Sequence, residues 1–95
     1  MAIGPGAERG REKFDVDRAL TVGRSEICDI IVDYTSASRQ HLRLEISAAG
    51  CLVTDLTSTH GTYVDGRPVT MPTVLRAGQS VRIGKAGPTW VYRPG

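Results

Sequence analysis

Aromatic side chains are scarce in this chain: one Phe, three Tyr and one Trp among 95 residues. So few rings give little supply for a surface that stacks single-stranded bases. Cysteine is scarcer still, with only Cys28 and Cys51. Neither stands in a CxxC pair, and no His/Cys cluster has metal-ligand spacing, so no metal or other cofactor is expected. Cys28 precedes the apolar run Ile30-Ile31-Val32 and Cys51 opens Leu52-Val53. Both read as small core residues. A disulfide between them is compatible with the sequence, but nothing in it calls for one.

Long apolar runs are missing too. No segment reaches membrane-span length, and Met1-Ala2-Ile3-Gly4-Pro5-Gly6 lacks the apolar stretch of a signal peptide. The expected setting is the cytoplasm, without membrane contact. Neither sign of charge dominates: 12 basic and 10 acidic residues leave a net charge of +2. No long-range field follows from so small a value. An anionic ligand would have to be held by local placement of groups. The dense charge run from Glu8 to Lys13 reads as a solvated, mobile end rather than a nucleic-acid arm.

Helical periodicity is absent, and alternation takes its place. Leu20 and Val22 alternate with Thr21 and Gly23; Leu42, Leu44 and Ile46 with His41, Arg43 and Glu45; Val81 and Ile83 with Arg82. Residues two apart share one face of a strand, so each run offers an apolar face to a core. Turn signals cut the chain at short intervals: Ala48-Ala49-Gly50, Asp65-Gly66, Arg76-Ala77-Gly78 and the stretch from Gly84 to Pro88. Asp65-Gly66 suits a two-residue type I′ hairpin, whose central positions both need positive φ. Many short strands at this spacing predict an all-β sandwich or barrel. Residues 1–11 are expected to be poorly ordered, with one domain over 12–95. A domain this small favours a shallow surface site over a deep cleft.

Polar residues able to act concentrate in three places: Gly23-Arg24-Ser25, Ser38-Arg39-Gln40-His41, and the run from Asp55 to Thr62. Each lies at or beside a strand end. In a sandwich, loops at one end cluster, so the three could form one patch. Arg24 and Arg39 bring planar guanidinium forks that grip phosphate in bidentate fashion. Ser38 and Thr59 bring hydroxyl donors. A phosphate monoester near neutral pH is close to dianionic and carries three acceptor oxygens. Two or three charge-assisted hydrogen bonds, each worth about 1.5–3 kcal/mol, suit micromolar binding.

These blocks, in this order, resemble the signature of the forkhead-associated (FHA) domain. Cys28-Asp29-Ile30, Val64-Asp65-Gly66 and the run from Leu75 to Val81 fit the surrounding pattern, over about residues 14 to 93. The resemblance implies an FHA-like β-sandwich of about 10–11 mostly antiparallel strands, with ligand loops at one end. It implies a non-catalytic module for phosphothreonine peptides, preferring threonine over serine. The partner would be a Ser/Thr kinase or its substrate. Carried over residue by residue, Arg24 and Ser38 would bind phosphate oxygens, Arg39 would add a cation, and Thr59 a hydroxyl or backbone contact. Gly23 and Gly61 would permit the loop conformations, His41 would brace the loops from beneath, and Ser58 reads as a turn residue supporting the site.

Two features depart from the family pattern. His60 stands where an Asn usually contacts the peptide backbone. A neutral imidazole has one donor and one acceptor, enough to replace part of that contact. If His60 faces phosphate, binding is expected to strengthen mildly below about pH 6.5, where an unperturbed imidazole charges. The second departure is the short, Gly- and charge-rich N-terminus, where the family's first strand is expected to be missing or degenerate. That would leave a sheet edge open to pairing, so a monomer or an edge-mediated dimer is expected.

Competing readings are weaker. Ser38, His41 and Asp55 can be imagined as a catalytic triad, but no serine sits in a G-x-S-x-G elbow, and the family pattern already accounts for the Ser38–His41 spacing. No enzyme is expected. The stronger competitor is a degenerate module of the same fold that binds a partner, or itself, without phosphate.

Overall fold

The computed structural model describes residues 2–5, 14–15, 18–85, 87 and 89–93. They form eleven strands and, among the described residues, no helix. These are β1 (Ala2–Pro5), β2 (Phe14–Asp15), β3 (Leu20–Gly23), β4 (Ile30–Ile31), β5 (Leu42–Ser47), β6 (Gly50–Asp55), β7 (Thr62–Val64), β8 (Arg67–Pro68), β9 (Thr73–Leu75), β10 (Ser80–Ile83) and β11 (Thr89–Arg93). One sheet runs β2-β1-β11-β10-β7-β8, the other β4-β3-β5-β6-β9. Among the described residues every strand pairing is antiparallel except β3 with β4. This is the expected all-β sandwich.

The alternation found in the sequence explains which faces are buried. Leu42 and Leu44 of β5 turn inward, while Arg43 between them is exposed. Val81 and Ile83 of β10 also turn inward, with the half-buried Arg82 between them. From the facing sheets, Leu20, Val22, Val53 and Leu75 meet Val64, Trp90 and Tyr92 in one core. Both cysteines are buried free thiols. Cys51 is fully enclosed, and burial pushes its pKa up to about 11. Asp65 and Gly66 have φ of 48° and 83°, and Val64 pairs with Arg67 across them, as a type I′ hairpin requires. Pro68, with no N–H to give, lies in β8 at the sheet's edge.

The N-terminus differs from the sequence expectation. A first strand is present: β1 pairs with β11 over four residues and with β2 over two. The edge of that sheet is therefore β2, not β11. Antiparallel pairing needs backbone groups rather than particular side chains, so a Gly- and Pro-containing segment can supply it while showing no alternation. Residues 6–13, including most of the stretch expected to be poorly ordered, lie outside the described residues.

Candidate functional site

The site starts at the end of β3. A Cβ placed on Gly23 would lie 2.2 Å from the Arg39 carbonyl oxygen and 2.9 Å from the Gln40 Cα. Only glycine lets the 38–41 backbone pass this close. The reason is contact rather than positive φ, which refines the sequence reading for Gly23 while leaving it intact for Gly61, where φ is +84°. Past Gly23 the two segments zip together. Arg24 N–H donates to the Ser38 carbonyl and Ser25 N–H to the Arg39 carbonyl, each at 3.0 Å. The buried Cys28 thiol donates to the same Arg39 carbonyl at 3.1 Å. Arg24 and Arg39 are thereby carried side by side on a fixed backbone.

His41 ties that pair of segments to the β6–β7 loop. Its side chain is fully buried. Nδ1 accepts from the Ser38 N–H at 3.0 Å, and Nε2 lies 2.8 Å from the Gly61 carbonyl oxygen. One nitrogen must accept and the other donate, so the ring is the neutral Nε2–H tautomer. Burial pulls its pKa below the ordinary histidine value, opposed by the Gly61 carbonyl and Asp55. Both ring nitrogens are thus occupied by the backbone of the loops that they join.

The β6–β7 loop is built on Asp55. One carboxylate oxygen accepts from the Ser58 N–H at 3.0 Å; the other accepts from the Ser58 hydroxyl at 2.5 Å and the Thr62 hydroxyl at 2.6 Å. Burial works against the charge, but these bonds outweigh it and hold the carboxyl below its usual pKa. Inside this clamp Thr57 is forced to a φ of 60°, rare for a β-branched residue. The loop then meets its neighbour directly: Thr59 N–H donates to the Ser38 hydroxyl oxygen at 2.9 Å. The Ser38 O–H itself has no acceptor among the described residues and remains available as a donor.

An open depression of about 490 Å³ lies where these loops meet. Arg24, Ser38, Arg39, Thr59 and His60, the five binding residues expected from the sequence, all line it. Arg24, Arg39, Thr59 and His60 are exposed and Ser38 half-buried. Neither arginine pairs with a carboxylate among the described residues. No Asp or Glu lines the depression. Gly23, His41, Ser58 and Gly61 stand behind it and fix its backbone.

Comparison with known proteins identifies the family. The model of the FHA domain family matches residues 20–84. The chain belongs to the FHA family. FhaB of Mycobacterium tuberculosis is 32% identical over 85 residues, which are 90% of this chain and 55% of that protein. The chain thus spans about half the length of that relative. The FHA domain of CT664 from Chlamydia trachomatis superposes with a TM-score of 0.85 at 26% identity, covering 99% of this chain and 96% of that one. An FHA domain solved in a structural and functional analysis of phosphothreonine-dependent interactions gives 0.80 at 25% identity, over 99% and 95%.

The FHA depression also contains Thr35, Ala37, Gln40 and Thr57, which sequence reasoning did not single out. Gln40 lay inside a quoted block and Thr57 beside Ser58, so proximity to the motifs was the available signal. Thr35 and Ala37 carry no such signal. They reach the site because the β4–β5 connection folds back, with Ala37 N–H donating to the Tyr34 carbonyl at 3.0 Å.

Proposed function

We propose that this FHA domain is a non-catalytic module that binds phosphothreonine in a protein partner, a Ser/Thr kinase or a substrate of one. The observation that carries this reading is the Ser38 hydroxyl. Its oxygen accepts the Thr59 N–H, while its own O–H has no acceptor among the described residues and lines a depression shared with two arginines that have no carboxylate partner among them. A phosphate dianion supplies the acceptors and the charge those groups lack. Arg24 and Ser38 take phosphate oxygens, Arg39 adds a second cation, Thr59 contributes its hydroxyl, and His60 contacts the peptide at the rim. The two free cysteines suit a reducing compartment such as the cytoplasm.

Calorimetric titration against a degenerate phosphothreonine peptide pool, with the unphosphorylated pool as control, tests the reading. Binding to the phosphorylated pool alone, at micromolar strength, is the expected result. Equal heats from both pools, or none from either, would replace it with the phosphate-independent module.

A further inference from the structure

The phosphate depression has a neighbour that its lining does not include. The turn between β10 and β11 is pressed against the site. Gly84 N–H donates to the Gly61 carbonyl at 2.8 Å, next to His60. A Cβ on Gly84 would lie 3.2 Å from the Ser36 Cβ and 3.4 Å from the His60 Cβ. One on Gly87 would lie 3.1 Å from the Ser36 hydroxyl. Arg82, stacked 5.4 Å from the Tyr63 ring centre, donates from Nε to the Gly84 carbonyl at 3.1 Å. The turn is thus pinned from both sides. Between its two glycines stands Lys85, exposed and without an ion pair among the described residues.

Charge is distributed unevenly around this wall. Residues 34–40, 56–61 and 84–88 contain no Asp or Glu, although the whole chain is nearly balanced. The Arg24 end is different: Glu26 is exposed two residues after Arg24, and Asp33 is exposed two residues after Ile31 of β4, the strand paired with β3. Consecutive Cα atoms are about 3.8 Å apart, so a lysine next to Gly84 stands within side-chain reach of anything lying over His60. A peptide anchored by its phosphate would pass Lys85 where it leaves over His60, and Glu26 where it leaves past Arg24.

We infer that Lys85 is a specificity-determining residue, selecting phosphothreonine peptides that carry an acidic side chain on the flank crossing His60. The inference rests on the phosphothreonine reading and adds the chemistry of the flanking sequence. A fixed turn suits this task, because little conformational entropy is lost when its charge is engaged. Acid on the opposite flank meets Glu26 and gains nothing.

The experiment is a scan of phosphothreonine peptides with alanine flanks and a single Glu moved from four residues before to four after, at 0.15 M salt. The expected result is a three- to tenfold gain over the all-alanine peptide at one or two positions on one flank only. In Lys85→Ala the Glu-to-Ala affinity ratio should fall to about one at those positions, and in Lys85→Glu a Lys scan should show the gain instead. A flat scan, a gain on both flanks, or a ratio unchanged in Lys85→Ala would overturn the role of Lys85 while leaving phosphothreonine binding standing. If the all-alanine phosphopeptide itself does not bind, the phosphothreonine reading fails, and the inference with it.

Discussion

The Ser38 hydroxyl oxygen accepts the Thr59 backbone N–H at 2.9 Å, joining two loops whose residues lie 21 positions apart. The same hydroxyl thus holds the site together and keeps an O–H with no acceptor among the described residues. Ser38→Ala removes both functions. Affinity for a phosphothreonine peptide should fall more than tenfold, and stability should drop by about 1 kcal/mol for the lost hydrogen bond. Titration calorimetry and urea denaturation on one preparation read the two effects. A loss of stability with unchanged affinity would assign the hydroxyl to the scaffold alone.

Arg24 separates the two effects. Its side chain is exposed, and its structural bond to the Ser38 carbonyl runs through the backbone N–H, which alanine keeps. Arg24→Ala should therefore weaken phosphopeptide binding more than tenfold while moving stability by no more than about 0.5 kcal/mol. Full affinity in the variant would remove Arg24 from the site.

Most of this site was legible in the sequence because its parts fall at strand ends, and alternation with turn residues shows where strands end. Arg24, Ser38 and Thr59 are separated in the chain, yet a sandwich brings such ends together. What stayed hidden is what depends on tertiary contact. Lys85 lies in a plain Gly-Lys-Ala-Gly sequence, and only the packing of Gly84 on His60 and Ser36 shows where it stands. The β1 strand was missed because its pairing with β11 rests on backbone groups, which leave no pattern in side chains.

His41 makes stability depend on pH. Its pKa is lowered in the folded protein, mainly by burial, so the unfolded chain binds more protons. The stability tied to the neutral ring is fully present above the unfolded value of about 6.5 and is lost as pH falls below it towards the lowered folded value. Urea midpoints should accordingly decline from pH 7 to pH 5, and His41→Gln should flatten that decline. His41→Ala should cost about 2–4 kcal/mol, since it opens a cavity, strands the Ser38 N–H and leaves the Gly61 carbonyl with the Gly84 N–H alone. A melting temperature unchanged in His41→Ala would deny the bracing role.

Gly23 and Gly66 should respond differently to alanine. At Gly23 the new Cβ would overlap the Arg39 carbonyl, a backbone atom that cannot turn away, so the 38–41 segment must move. The expected cost is about 1–3 kcal/mol, with weakened phosphopeptide binding because Ser38 and Arg39 shift. At Gly66 nothing lies within 4 Å, and only the φ of +83° resists a side chain. That costs about 1 kcal/mol and should leave binding untouched. Equal binding by the two variants would refute the claim that Gly23 positions the site.

Thr57 holds a left-handed backbone that costs an L-residue about 1–2 kcal/mol, and branching at Cβ adds to the crowding. Its neighbours impose this: Asp55 draws in the Ser58 N–H and hydroxyl, so the chain must turn sharply between them. Glycine accepts the conformation freely but gives the unfolded chain more freedom, which returns roughly 0.5–1 kcal/mol of the gain. Thr57→Gly should therefore raise stability by up to about 1 kcal/mol in urea titration. Because Thr57 also lines the depression, the phosphopeptide affinity of this variant is informative. Higher stability with lower affinity would show that the loop keeps a strained threonine for the ligand's sake. Higher stability with equal affinity would make the strain incidental to binding, and lower stability would mean that contacts of the Thr57 side chain outweigh the strain.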